Sequence, residues 1–287
     1  MTPGASSACW KEILAFEPQL VIVYTGHNEY LWRFAHEKIP SLGWRFRLRQ
    51  RLARLRIYQL LTFALRPAIG VAGSIDATDV LKEIPKEESF SRPRTEEETR
   101  LVVERFRKNI AESLRAAHEA GVPVVICTVA SRLQAEIVHS APASPEESAR
   151  IAPYRSALAA SSSEGEREAI ARTALDAAPG YAPFWQALGA ALEQRGALSG
   201  ARDAYVKARE LESNPARGGQ PINDAVREIG AREGATVVDV ERLFLAMDDR
   251  GCFGEQLFVD HVHPDREGLD RIAVAVADSV RWDSLPR

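Results

Sequence analysis

The sequence predicts an α/β protein in which parallel strands lie between layers of helices. Three short apolar segments rich in β-branched residues, at 20–24, 124–129 and 235–240, have the composition of strands buried in a parallel sheet. The second and third each follow a stretch of helical periodicity, which is the order of elements in an open α/β sheet. The 287 residues suffice for one large or two modest domains with ample core.

Composition excludes several classes of protein. The 45% hydrophobic and 27% charged content is typical of a soluble globular chain, and a net charge of −3 gives no reason to expect a nucleic-acid partner. Cys9, Cys127 and Cys252 have neither metal-ligand spacing nor the pattern of a disulfide framework. No stretch has the roughly 18 apolar residues of a membrane span, and the first residues lack the features of a signal peptide. The compartment therefore stays undetermined.

Taken in order, the chain begins with a short helix at 8–16, capped by Ser6 or Ser7, and the first strand follows Glu17-Pro18. Helical periodicity returns over 31–67, where arginines alternate with apolar residues at Arg45, Arg47, Arg49, Arg51, Arg54, Arg56 and Arg66. Such a segment can contact a membrane surface or bind an anion, but a solvated face over a packed apolar stripe is the commoner use and our preferred interpretation. Residues 68–94 are predicted to form a long loop.

The next elements have clear boundaries. Thr95 and Glu98 form a capping box that predicts a helix to about residue 120, before the second strand. Ser131 and Arg132 follow that strand and are predicted to line a site. A helix begins at Pro221 and ends at Gly234. After Pro264, the final helix is predicted to turn one face inward, made of Leu269, Ile272, Ala273, Val276 and Val280.

An alanine-rich helical region interrupts this pattern near residue 141. Its spacing resembles a tetratricopeptide repeat, in which small residues let two antiparallel helices pack closely. Because one isolated repeat cannot bury both faces, it should pack on the rest of the chain or on repeats outside it. We favour a structural insertion over a peptide-binding groove, and a protein partner is the alternative. The matching residues are Trp185, Leu188, Gly189, Leu192, Gly196, Ala201, Tyr205 and Ala208.

Two polar clusters carry the chemistry. Gly26-His27-Asn28-Glu29 follows the first strand, at the end where ligands bind in open α/β sheets. Glycine permits close approach of the backbone, and an asparagine amide is a neutral donor suited to an oxyanion. Asp260-His261-Val262-His263 lies near the other end of the chain, where one tight turn can join a carboxylate to an imidazole.

These clusters resemble two sequence blocks of the SGNH (GDSL-type) hydrolases, Gly-x-Asn-Asp and Asp-x-x-His, although Glu29 stands where that family has aspartate. The resemblance implies a three-layer αβα, flavodoxin-like fold and ester hydrolysis without metal or cofactor. It assigns His263 as general base, Asp260 as the carboxylate that orients it, and Asn28 and Gly26 to the oxyanion or substrate. Gly4 is similar to a further oxyanion-donor glycine of the family.

The nucleophile block of that family, Gly-Asp-Ser or Gly-Gly-Ser after a first strand, has no counterpart here. Ser6 and Ser7 are better explained as helix caps, and Ser74 after Gly73 follows a loop in the wrong order. We therefore expect the sequence to be incomplete at its amino terminus relative to the family, with little or no ester turnover of its own.

The resemblance implies a small acyl ester or acylated glycan as substrate, and domain limits of 1–145 and 218–287 for the hydrolase-like parts around an insertion at 146–217. The alternative function is a non-catalytic scaffold in which a degenerate hydrolase fold and the repeat bind a partner.

A metal cluster of His27, His261 and His263 is disfavoured, because His-x-His on an extended segment points its rings to opposite faces. Asp239, after the third strand, could orient a site group or cap a helix.

Overall fold

The computed structural model describes residues 10, 12–32, 92–137, 139–247 and 257–285. Within these ranges a parallel sheet has the strand order β1 (Val21–Tyr24), β2 (Val124–Cys127), β3 (Thr236–Val238). Val21 pairs with Val124, and Val125 with Thr236, so the carboxyl ends of all three strands lie at one edge. The predicted α/β class and its three strands are confirmed.

The central strand shows why the chain folds into layers. Successive side chains of a strand point to opposite faces. Val124 and Ile126 belong to one apolar cluster, with α1 (Glu96–Glu119) and α6 (Gln220–Arg232). Val125 and Cys127 belong to a second cluster on the other face. Both faces of β2 are therefore buried, as its uninterrupted apolar sequence predicts.

The helical region comprises α2 (Pro145–Ala160), α3 (Glu164–Ala177), α4 (Ala182–Gln194) and α5 (Leu198–Leu211). Ser144 and Ser163 cap α2 and α3 through their side-chain oxygens. Most buried apolar residues of these helices, including Phe184 and Tyr205, belong to the same cluster as Val125 of the sheet. The region thus packs on the α/β core of its own chain.

Close packing of α4 against α5 depends on Gly189. A Cβ at this position would lie 2.7 Å from the ring of Tyr205, which is itself buried. Gly189→Ala is therefore expected to lower the free energy of unfolding by about 1–3 kcal/mol through overpacking. Chemical denaturation measures this loss. Gly165→Ala in α3 is the matched control: a Cβ there meets nothing within 4 Å, so it should be neutral or stabilising by up to about 1 kcal/mol. Equal effects in the two variants would contradict the packing argument.

Two burial predictions need correction. The first strand was expected to be buried on both faces, but Ile22 is 54% exposed, because β1 is an outer strand of the described sheet and the buried strand residues of the second cluster come from β2 and β3. The last helix, α8 (Arg266–Ser279), buries Val276 but leaves Leu269 54% exposed and Ala273 exposed as well. Among the strands, its main contacts are with β3, so only part of the predicted stripe is covered.

The remaining described elements are α7 (Val240–Met247) and short 3-10 helices at Glu29–Trp32 and Trp282–Ser284. Apart from Trp32, the described residues fall in one compact unit. In the ranges given above, no helix combines the length and apolar character that crossing a membrane requires. Several predictions lie outside the described residues: those on Gly4, Ser6, Ser7, Gly73, Ser74, the arginine-rich segment 45–66 and most of the loop 68–94.

Candidate functional site

The carboxyl end of β1 forms a turn whose shape is set by neighbouring protein. Gly26 is buried with φ 141°, and a Cβ there would lie 2.8 Å from the Ile222 side chain. Asn28 has φ 64°, in the left-handed region that asparagine tolerates, and is exposed. Its N–H donates to the Ala216 carbonyl at 3.2 Å. The missing side chain was predicted to let a ligand approach the backbone. In this structure the side chain of Ile222 packs there instead.

His27, between these two residues, is mostly buried and neutral. Its Nδ1 accepts a hydrogen bond from the Gly218 N–H at 3.0 Å, which places the proton of the neutral ring on Nε2. Nε2 lies near the Ala130 carbonyl without a hydrogen bond of normal geometry. Burial, together with the positive charges of His261, His263 and Arg209, lowers the pKa of His27 from 6.5 to about 4.

The depressed pKa predicts a pH-dependent stability. Between pH 6.5 and about 4 the unfolded chain binds a proton at His27 that the folded protein excludes. Above pH 6.5 His27 is neutral in both states and this effect is absent; as the pH falls toward 4, protonation of the unfolded chain lowers the free energy of unfolding by up to roughly 3 kcal/mol. We expect urea denaturation at pH 7 and pH 4.5 to show a larger loss in the wild type than in His27→Asn, whose side chain does not titrate. The same loss in both proteins would contradict the assignment.

The second cluster is a tight hairpin closed by the Val259 N–H, which donates to the His263 carbonyl at 2.9 Å. Asp260 Oδ1 accepts from the N–H groups of Val262 and His263, each at 2.8 Å, and Oδ2 lies 2.6 Å from His263 Nδ1. Burial opposes ionisation of Asp260, but these hydrogen bonds outweigh it and hold the pKa of its carboxyl well below the usual range. The imidazole of His263 is thereby anchored through Nδ1, and its side chain is 75% exposed.

The segment after β2 lies between the two turns. Ala130 is next to His27, and the Arg132 N–H donates to the His261 carbonyl at 3.0 Å. Ser131, which was predicted to line the site, is only 1% exposed, and its hydroxyl has no hydrogen-bond partner within the described residues. The structure therefore places Ser131 inside the protein, next to backbone that touches both clusters.

Residues 212–219, which we call the connector, join the helical region to α6 and organise this edge of the sheet. Arg217 is 2% exposed, and its Nη1 donates to the Arg132 carbonyl at 2.8 Å. Its Nε pairs with buried Glu212 at 3.4 Å. Because Arg132 in turn bonds to His261, the connector supports the Asp260–His263 turn through two hydrogen bonds.

The connector also contacts the Asn28 turn directly. A Cβ at Gly218 would lie 2.8 Å from the Gly26 carbonyl oxygen and 2.7 Å from the Val129 side chain, so no larger residue fits. With the hydrogen bonds of Ala216 and Gly218, the connector thus contacts the Asn28 turn directly and supports the Asp260–His263 turn through Arg132. Sequence reasoning missed this role. Pro215 and the Gly218-Gly219 pair signal a turn, but nothing local marks Arg217 as buried.

Asp239 has a structural role. Its carboxylate accepts two hydrogen bonds from Arg227, at 2.8 and 2.9 Å, and its Oδ1 accepts from the Arg242 N–H at 3.2 Å at the start of α7. Of the two predicted uses, capping a helix is thus the one observed.

Within the described ranges, no group of three or more His, Cys, Asp or Glu side chains could hold a metal ion. Neither known protein families, nor curated proteins, nor solved structures give a match to this chain.

Proposed function

We propose that these residues form the base and oxyanion-donor part of an SGNH-type acyl hydrolase that acts on ester bonds. The observation that carries the proposal is the Asp260–His263 pair, joined at 2.6 Å on an exposed turn. Acyl transfer needs a base whose tautomer and orientation are fixed by a carboxylate. An ionised Asp260 bound to Nδ1 meets that requirement and leaves Nε2 of His263 to accept a proton.

In this mechanism, Nε2 of His263 takes the proton of the attacking nucleophile and later returns it to the leaving alcohol. The exposed amide of Asn28 donates to the oxyanion that develops on the ester carbonyl. One feature supports a shared site: the segment that follows β2 borders both clusters, because Ala130 is next to His27 and the Arg132 N–H donates to the His261 carbonyl at 3.0 Å. Gly26 and Gly4 are assigned as further oxyanion or substrate-binding residues by family resemblance.

The nucleophile is unassigned, and ester turnover is measured on the full-length gene product. The substrate class is a small acyl ester or an acylated glycan. A series of p-nitrophenyl esters of increasing acyl length, alongside an acetylated polysaccharide, distinguishes the two. The alternative function, a non-catalytic scaffold, is favoured by the missing nucleophile block and predicts no turnover of any of these substrates.

Asn28→Ala tests the oxyanion assignment. Loss of one oxyanion donor should lower kcat for p-nitrophenyl acetate by about 10²–10³-fold, with KM little changed. Asn28→Gly removes the same amide but keeps the freedom to adopt the positive φ of this position. It should lose as much turnover as the alanine variant. Full activity in Asn28→Gly would show that the side chain has no part in the reaction.

A further inference from the structure

We propose that His27 is a positioning residue, which ties the Asn28 turn to the connector and so fixes the direction of the Asn28 amide. The inference rests on the proposed function for the role of that amide. The tie itself is a separate structural claim and can be tested without any enzymatic activity.

The geometry is a two-point attachment. The Asn28 N–H donates to the Ala216 carbonyl at 3.2 Å, and the Gly218 N–H donates back to His27 Nδ1 at 3.0 Å. Two consecutive residues of the turn are thus bound to a stretch of three connector residues by hydrogen bonds of opposite direction. With His27 and the Asn28 N–H both bound to the connector, the backbone on the amino-terminal side of the Asn28 side chain is fixed, and it cannot shift without breaking one of the bonds.

The tie requires a neutral imidazole at this position. A protonated Nδ1 would be a donor and could not accept from Gly218. Among the described residues, the charged groups that act on the ring are Arg209, His261 and His263, and all three oppose its protonation, while the Tyr24 ring packs against it edge-on at 6.4 Å between centroids. These charges therefore keep Nδ1 unprotonated and able to accept a hydrogen bond. Without that acceptor, the Gly218 N–H would lose its partner.

The fixed turn matters because oxyanion donors act through preorganisation. Asn28 adopts φ 64°, a backbone conformation that side-chain-bearing residues populate sparsely. A turn released from the connector can return to a more common conformation, which redirects the amide. A displacement of about 1 Å can reduce turnover by about 10²-fold.

Two variants separate the acceptor from the bulk of the ring. His27→Phe keeps a ring but has no acceptor, whereas His27→Asn can place Oδ1 where Nδ1 accepts. We expect amide hydrogen exchange at Gly218 to accelerate by about tenfold or more in His27→Phe, with kcat for p-nitrophenyl acetate reduced by about 10²-fold and KM little changed. His27→Asn should restore both values to within a few-fold of the wild type.

The outcomes are distinguishable. Unchanged exchange at Gly218 in His27→Phe would overturn the tie. Faster exchange with unchanged kcat would show a structural role only and overturn the positioning role. A wild-type protein without turnover, combined with faster exchange in His27→Phe, would overturn the proposed function and leave the tie standing.

A measurement on the wild type covers the case in which His27→Phe does not fold. Nitrogen–nitrogen coupling across the hydrogen bond should connect the Gly218 amide to His27 Nδ1 in the NMR spectrum at neutral pH. A spectrum in which Nδ1 carries the proton would refute the tie.

Discussion

Arg217→Ala is expected to lower the free energy of unfolding by about 3–5 kcal/mol, the largest stability effect that the structure predicts. The guanidinium is buried, pairs with Glu212 and donates to the carbonyls of Arg132 and Ala135. Its removal leaves the buried Glu212 carboxylate without this cation and takes a donor from each carbonyl. Chemical denaturation at neutral pH measures the loss.

Two controls isolate the cause. Arg242→Ala removes an exposed arginine that pairs with Asp239 at 3.3 Å, and it should cost no more than about 1 kcal/mol. The double variant Arg217→Met, Glu212→Leu removes both charges and should be more stable than Arg217→Ala alone. If Arg217→Ala were no more costly than Arg242→Ala, the connector would not depend on its buried ion pair.

The strands and most helices were predictable because their signals are local. The apolar run at 124–129 contains β2, Val124–Cys127, and the Thr95–Glu98 capping box starts α1 as predicted. The small residue at Gly189 correctly indicated close helix packing, since Tyr205 fills the space that its missing side chain leaves. Each of these features depends on residues that lie close together in the sequence.

Features that depend on distant contacts were not predictable. The residues behind Gly26 are Ile222 and Val129, each about a hundred or more positions away in sequence. Burial of Arg217 depends on the end of β2, and the sequence around it has no apolar pattern. Leu269 is exposed because α8 makes its main sheet contacts with β3, which covers only part of the apolar face of the helix.

The candidate site was therefore predictable in part. The Asp260–His263 hydrogen bond spans three residues and follows from a local turn. The position of His27 depends on Gly218, 191 residues away, so its sequence neighbours could not reveal its role. The connector that links the two clusters is visible only in three dimensions.

His263→Ala is expected to abolish ester turnover, with a loss of about 10⁴-fold or more in kcat, because the base and its carboxylate act as a unit with the nucleophile. Stability should change little, since the side chain is exposed and its pairing with Asp260 lies at the surface. A loss of activity without a loss of fold would assign the effect to chemistry.

His261 provides the matched control for this test. It is an exposed histidine two positions earlier on the same turn, and its described contact with Arg132 uses only the backbone carbonyl. The decisive measurement is kcat for p-nitrophenyl acetate in His261→Ala and His263→Ala versions of the protein that its gene encodes. We predict near wild-type turnover in the first and none above background in the second. Equal turnover in the two variants would contradict the assignment of the base and, with it, the acyl-hydrolase site.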